Sequence, residues 1–450
     1  MDNKESFGSK IGFILAAAGS AVGLGNIWRF PYLAAKYGGG VFLVIYIILV
    51  VTFGFSLMVS EISLGRKTGK SVIGAYKDAD KRFGFLGPVA SLVPFIITPY
   101  YCVIGGWVLK YLVTFVSGKA GDSTNDEFFG GFISQLGEPS VYFIVYAALT
   151  AIVVIFGVEK GIESVSKILM PMLIILSIGI AVYTMTLPGA GAGVKYYLLP
   201  NLEGFTVSKL LKTIVAAMGQ LFYSMSLAMG IMVTYGSYMR KQDSIEGSTR
   251  QVSFFDTAIA IIAGLIIVPS VFVFSGGDAE ALNAGPGLMF VTLPKVFDSM
   301  KGGHIVGGAF FILVAFAALT SSVSLLETMV SIISEKFKLK RVGSTLVCVT
   351  IVIIMGMLSV LGYSDWSEVT IFGYQILDFF DFISNNIMMP IVALITCILI
   401  GYIVKPKYIE DETTLNGEVF KSKGLYEVMT KYVCPAFMII ILLTPFLVEL

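Results

Sequence analysis

Four stretches of this chain place oxygen atoms where a lipid-facing helix would not carry them. The first is Gly19-Ser20-Ala21-Val22-Gly23-Leu24-Gly25-Asn26-Ile27-Trp28-Arg29-Phe30-Pro31. The second is Gly219-Gln220-Leu221-Phe222-Tyr223-Ser224-Met225-Ser226-Leu227-Ala228-Met229-Gly230. The third is the carboxylate Asp256 at the head of an apolar run, and the fourth is Thr320-Ser321-Ser322. Each glycine inside a helix costs roughly 1 kcal/mol, and an arginine at mid-depth costs several more. A helix interrupted here must turn its freed backbone toward protein, water or a ligand. Such backbone suits a desolvated cation, which needs a shell of oxygens that an intact helix would use up. The N-terminal ends of broken helices favour a carboxylate. Plainer readings stand beside these. Gly19, Gly23 and Ala16 share a small-residue packing face, and Thr320-Ser321-Ser322 suits interhelical hydrogen bonding. Asp256 could cap or be solvated at a helix start.

Enzyme chemistry is disfavoured, because the apolar segments contain no nucleophile–base pair and no metal cluster. The single histidine, His304, sits in a glycine-rich turn beside Gly302 and Gly303. Cys102, Cys348, Cys397 and Cys434 are scattered within apolar segments, without metal spacing or a disulfide framework.

The elements that position these oxygens are membrane spans. Of the 450 residues 56% are hydrophobic and 14% charged, against about 25% charged in soluble domains, and the mean hydropathy is +0.86. The chain reads as an all-α polytopic membrane protein. Eleven stretches reach spanning length: 11–36, 40–64, 84–117, 140–158, 164–186, 206–239, 251–275, 304–334, 344–362, 371–404 and 427–448. Basic residues alternate between faces. Arg66, Lys67, Lys70, Lys77, Lys81 and Arg82 fall on one side. So do Arg240, Lys241 and Arg250, then Lys336, Lys338, Lys340 and Arg341, then Lys405, Lys407, Lys421 and Lys423. The intervening loops are poor in them. This predicts a cell-membrane protein with a cytoplasmic N-terminus and an extracellular C-terminus. Met1 to Lys10 is polar and does not resemble a signal peptide. The net charge of +1 gives no reason to expect nucleic acid.

The first and sixth spans share the same anomaly and enter from opposite faces. Interrupted helices at corresponding places in two inverted halves point to a midplane binding site in a secondary transporter. We therefore read one transmembrane domain, 1–450. Residues 1–186 form a first repeat of five spans, 187–405 an inverted second repeat, and 406–450 an additional eleventh span. The five-plus-five repeat has its first and sixth helices unwound at mid-membrane.

At this point the residues resemble the neurotransmitter:sodium symporter family, and specifically a bacterial amino-acid member of eleven-span type. The likeness rests on Gly19 to Pro31 with Gly38-Gly39-Gly40, Pro99-Tyr100-Tyr101, Gly219-Gln220, Ser224 to Gly230, Ala317-Ala318-Leu319-Thr320-Ser321-Ser322, and Asp378-Phe379-Phe380-Asp381-Phe382. It covers spans one to ten. The resemblance implies two sodium ions. One would be held by Ala21, Asn26, Ser224, Asp256 and the substrate carboxylate. The other would be held by Gly19, Val22, Ala317, Thr320 and Ser321. It implies that Tyr101 meets the substrate carboxylate, with Gly23, Leu24 and Gly25 beside the substrate. Ile97, Tyr223, Ser226, Ala228, Met229, Ser322 and Leu325 would line a side-chain pocket. Its deformable methionine predicts a large apolar or aromatic L-amino acid.

Asp256 departs from the asparagine usual in animal members, which use chloride near the positions of Tyr46, Gln220 and Ser224. Its carboxylate would supply that charge, so chloride-independent transport is expected, with Asp256 a candidate proton carrier on the return. Arg29 and Asp381 resemble an outer charge gate, with Tyr223 and Tyr101 as the aromatic lid. Lys4 and Glu335 stand where an inner ion pair would be, with Phe7 and Tyr238 nearby. Gly161 and Pro171 match a spacing linked to cytoplasmic unwinding. The expected function is sodium-coupled amino-acid import by alternating access, with no organic cofactor. The rival is a membrane sensor that binds an amino acid without moving it.

Overall fold

The computed structural model describes residues 5–276 and 287–447. Its regular structure is helical among those residues, with only the isolated bridges Gly39↔Pro200 and Ile371↔Tyr374 of β type. We name the long helices in chain order. They are α1 (Lys10–Ala21), α2 (Gly25–Lys36), α3 (Gly40–Thr68), α4 (Lys81–Val116), α5 (Gly137–Ile155), α6 (Val158–Met185), α7 (Val207–Ser224), α8 (Ile231–Tyr238), α9 (Ile245–Ser275), α10 (Gly303–Phe337), α11 (Arg341–Tyr363), α12 (Ile376–Ile403) and α13 (Lys423–Thr444).

Among the described residues, nine helices are long and apolar enough to cross a membrane, and α1 with α2 makes a tenth if the bent pair is one span. The predicted sixth span, 206–239, does not qualify as one helix. It is split into α7 and α8 by six residues, and Lys209, Lys212 and Gln220 dilute the apolar character of α7. The other predicted spans each correspond to one helix or bent pair, shifted by a few residues at the ends.

Local chemistry sets several starts. The Ser9 hydroxyl accepts from the Gly12 N–H at the head of α1, and the Ser244 hydroxyl accepts from the Gly247 N–H at the head of α9. Each satisfies an orphan donor of the first turn. Helices α4 and α10 are the interior pair, with 72% of their most apolar windows buried, whereas α13 is peripheral at 28%.

Glycines let α3 and α8 approach closely. A Cβ on Gly65 would lie 1.9 Å from the Val233 carbonyl oxygen, and one on Gly236 would lie 2.4 Å from that of Ile62. Small residues at such crossings are the usual device where lipid supplies no hydrophobic drive. Gly65→Ala should therefore push α8 off α3 and cost about 1–3 kcal/mol or more. The check is the melting temperature of the purified protein, expected to fall by several degrees.

Candidate functional site

The site is built where two helices stop. Helix α1 ends at Ala21; Val22 is extended (φ −75°, ψ 91°), and α2 resumes at Gly25 on an axis turned by 56°. Helix α7 ends at Ser224, and α8 begins after Gly230. Between them Ser226 and Ala228 hold φ of 53° and 59°. Left-handed backbone at non-glycine residues costs of order 1–3 kcal/mol and persists only where its surroundings fix it. Here they do. The Ala228 N–H donates to Glu61 Oε1 at 2.7 Å, and the Ser226 hydroxyl donates to the Ser20 carbonyl at 3.0 Å. Serine and alanine are as compatible with an intact helix as with this turn, so their identities do not reveal it.

Asp256 lies fully buried on α9 beside the first break. Its Oδ1 accepts from Asn26 Nδ2 and from the Ser224 hydroxyl, both at 2.7 Å; Oδ2 accepts from the Tyr46 hydroxyl at 3.3 Å. Asn26 is fixed in turn, its Oδ1 accepting from the Gly23 N–H at 3.1 Å. No lysine, arginine or histidine nitrogen lies within 4.0 Å of this carboxylate among the described residues. A buried carboxylate held by neutral donors alone is a natural partner for a small cation.

A second set of oxygens gathers on the other side of α1. The Ser321 hydroxyl lies 3.3 Å from the Gly19 carbonyl oxygen, 2.9 Å from that of Ser20 and 3.4 Å from that of Val22. The Thr320 hydroxyl donates to the Ala317 carbonyl at 3.1 Å, and a Cβ on Gly19 would touch Thr320. Gly19, Val22, Ala317, Thr320 and Ser321 thus converge, joined by Ser20. The described residues contain no group of three His, Cys, Asp or Glu side chains placed to hold a metal ion. Carbonyls, hydroxyls, an amide and one carboxylate suit a hard cation, not a transition metal.

Between the two clusters is a narrow cavity with about 20 Å³ open to the centre of a water molecule, room for about one water. Of the residues expected to contact substrate, Ala21, Gly23, Gly25, Ile97, Tyr101, Tyr223, Ser226, Met229 and Leu325 line it. Ser20 and Ile231 line it too and were not expected. Four expected residues do not. The Leu24 N–H is taken by the Tyr101 hydroxyl at 3.2 Å, Ser224 turns to Asp256, and the Ala228 N–H caps Glu61. Ser322 bonds to Tyr146 and Thr150 on α5 at 3.1 and 3.0 Å. Adjacent residues on a helix point about 100° apart, so Ser321 faces α1 while Ser322 faces away. Gly23 lies at the junction, where a Cβ would come within 2.6 Å of Ser321 Oγ and 2.9 Å of Tyr101 Oη. Gly23→Ala should weaken ligand binding by about 10- to 100-fold, measured by calorimetric titration.

The gates differ from expectation. Asp381 accepts from Tyr100 at 3.0 Å and from Asn385 at 2.7 Å. Arg29 forms no ion pair with it within 4.0 Å; instead its guanidinium lies over the Tyr223 ring at 5.4 Å. Planar guanidinium on an aromatic face, above a narrow cavity, is a favourable arrangement in its own right. At the opposite end of the site Lys4 lies outside the described residues. Glu335 accepts from the Ser71 N–H at 2.6 Å, and Tyr238 donates to Glu327 at 2.7 Å. The ionic latch there is one the sequence reading missed. Arg341 pairs with Glu5 at 3.0 Å and with the buried Glu327. Glu163 accepts from the Gly8 N–H and the Ser9 hydroxyl, both at 2.7 Å, and the Phe7 ring packs on Phe13, Tyr235 and Tyr238. A wide turn at Val158–Glu163 contains Gly161, while Pro171 lies inside regular α6. Glu61 and Glu327 carried a readable signal, since carboxylates inside apolar spans are expensive unless functional.

The profile described as the "Sodium:neurotransmitter symporter family" matches residues 4–124 and 129–449. An uncharacterized sodium-dependent transporter of Bacillus subtilis (strain 168), YhdH, is 36% identical over 397 residues, covering 87% of this chain and 86% of the relative. Another uncharacterized sodium-dependent transporter, from Haemophilus influenzae, is 30% identical over 98% of both chains. Among solved structures, MhsT in complex with L-phenylalanine superposes with a TM-score of 0.87 at 36% identity, over 98% of this chain and 99% of that one.

Proposed function

The chain belongs to the sodium:neurotransmitter symporter family, and on that premise we propose that it imports a hydrophobic or aromatic L-amino acid together with sodium by alternating access. The observation that carries this reading is the arrangement around one break. Two oxygen clusters flank the end of α1, and the cavity between them is lined by Tyr101 and Met229. One ion would sit with Ala21, Asn26, Ser224 and Asp256, the other with Gly19, Val22, Ala317, Thr320 and Ser321. The solved complex of the similar MhsT holds L-phenylalanine, which favours an aromatic cargo here. Eleven spans, with the sixth formed by α7 and α8, and two inverted repeats at 1–186 and 187–405, complete the reading.

Each part has a physical task. The substrate carboxylate lies against the Tyr101 hydroxyl and the backbone between Gly23 and Gly25. It completes the oxygen shell of the ion at Asp256. A shared carboxylate couples the two ligands, and the coupling is reciprocal: each raises the other's affinity by the same factor. The apolar side chain displaces the small enclosed volume between Ile97, Met229 and Leu325, so these side chains shift to admit it. Asp256 supplies a fixed negative charge, so chloride is not required. Arg29 and Tyr223 close the path above; Glu5, Arg341, Glu327 and Tyr238 close it below.

The test is thermal stabilisation of the purified protein by a panel of amino acids, in sodium and in potassium. A ligand at 100 times its Kd adds about 2.7 kcal/mol to the folded state. Phenylalanine, tryptophan, tyrosine and leucine are expected to raise the melting temperature in sodium alone, equally in chloride and gluconate. Stabilisation by glycine or lysine instead, or indifference to sodium, would refute the reading.

A further inference from the structure

A larger cavity lies away from the ion clusters. It has a volume of about 520 Å³ and opens between α3, α9 and the start of α13. Ile47, Val51 and Phe254 on its wall are exposed, at 40%, 55% and 68%, so its mouth faces the bilayer. At its basic end stands Arg250, on the face rich in lysine and arginine. Arg250 Nη2 donates to Glu246 at 2.9 Å and to the Ser422 hydroxyl at 2.6 Å, and its guanidinium lies over Phe55 at 5.4 Å. Glu246 is otherwise taken up by the Lys421 N–H and the Ser422 hydroxyl. The Nη1 donors of Arg250 remain for another acceptor.

The wall carries a second signal. Many hydroxyls on these helices donate to the carbonyl four residues back, as Thr52, Ser56, Ser60 and Ser270 do; Ser248 and Thr249 near the start of α9 lack a partner but do not line the cavity. Ser253 Oγ and Thr257 Oγ1 line the cavity, yet both are buried without a partner. Ser253 is only 7% exposed. An unpaired hydroxyl in apolar surroundings is costly, and two on one stripe mark a place for acceptors. They lie about 4.5 and 10.5 Å beyond Arg250 along the helix, at about 1.5 Å per residue. A guanidinium at the interface, hydroxyls one and two turns deeper and an apolar wall beyond match a phospholipid read from phosphate to ester carbonyls to acyl chain.

We propose that this cleft binds one anionic phospholipid, with its phosphate on Arg250, its ester carbonyls on Ser253 and Thr257, and an acyl chain along Ile47, Val51 and Phe254. The charge follows from the rim: Arg250 and Glu246 offset each other, and Lys421, next in sequence to the cavity-lining Ser422, leaves the rim net positive. The site is independent of the transport reading.

Native mass spectrometry of the full chain in detergent, titrated in parallel with phosphatidylglycerol and phosphatidylethanolamine, tests it. One phosphatidylglycerol should be retained at least 10-fold more tightly than phosphatidylethanolamine. Arg250→Gln should weaken it at least 10-fold, and Ser253→Leu should weaken it while leaving the Arg250–Glu246 pair intact. Lys336→Gln, at a different basic helix end, should leave binding unchanged. If Arg250→Gln fails to fold, Ser253→Leu decides alone. Unchanged binding in Ser253→Leu, equal retention of the two lipids, or an equal loss in Lys336→Gln would overturn the proposal.

Discussion

Asp256→Asn is expected to cut sodium-driven uptake in chloride-free medium by about 100-fold or more, and chloride should restore part of it. The substitution keeps the shape of the side chain and an oxygen at Oδ1, where Asn26 and Ser224 now donate at 2.7 Å. What it removes is the charge. Hydrogen bonds to a charged acceptor contribute about 1.5–3 kcal/mol against about 1 for a neutral one. Weakening two of them and losing the electrostatic hold on the ion together exceed the 2.7 kcal/mol that corresponds to 100-fold. Two donors near the acid, Tyr46 and Ser224, would then face a site without its anion, and a chloride fits that vacancy of charge. Gln220 is close by, its Nε2 donating to the Gly25 carbonyl at 2.9 Å while its own carbonyl oxygen is buried without a partner. Wild-type uptake should not respond when chloride is replaced by gluconate. If Asp256 also returns a proton, the variant should lose any dependence on internal pH. Uptake by Asp256→Asn equal to wild type without chloride would contradict the assignment.

Arg341→Ala is the second large effect. Arg341 is the cation that neutralises Glu327, whose side chain is fully buried, and it also holds Glu5 on the N-terminal segment. Removing one partner of a buried pair leaves a stranded charge and costs about 3–5 kcal/mol. The cost falls on the state in which residues 5–9 are latched below α1, so that state is depopulated. Phe7 is 1% exposed there, which makes it a reporter. A cysteine at that position should be alkylated about 100-fold faster in Arg341→Ala, and uptake should collapse. Pairing Arg341→Ala with Glu327→Gln removes the stranded charge and should recover most of both. The melting temperature of the single variant separates a gate from general unfolding, because opening the latch alone leaves the rest of the core folded.

The architecture was legible because hydropathy and basic loops speak directly to membrane physics. Ten of the eleven predicted stretches correspond to an apolar helix or bent pair. The exception is instructive. At 206–239 Lys209, Lys212 and Gln220 lower the hydropathy, and the turn between Ser224 and Ile231 splits the segment in two. The breaks were legible at Gly23 and Gly25, where glycine and Asn26 interrupt an apolar run. At Ser226 and Ala228 they were legible only by position, because neither residue needs a positive φ. Ser321 against Ser322 shows the limit of reading a motif as a block: one residue of rotation decides which hydroxyl faces α1. The ion pairs of Arg341 with Glu5 and Glu327 were harder. Glu5, Glu327 and Arg341 are far apart in sequence, and no spacing rule joins them. Arg29 and Asp381 were legible as an outer charge gate, but their partners were not: Asp381 accepts from Tyr100 and Asn385, and Arg29 lies over the Tyr223 ring.

The central claim is coupled movement, which binding alone does not establish. Counterflow and uptake of labelled L-phenylalanine into liposomes carrying the full chain test it most directly. The account predicts accumulation above equilibrium under an inward sodium gradient, none when potassium replaces sodium, and exchange of internal for external label. Sodium-dependent binding of phenylalanine with no label crossing the membrane in either assay would contradict it and would make the protein a sensor.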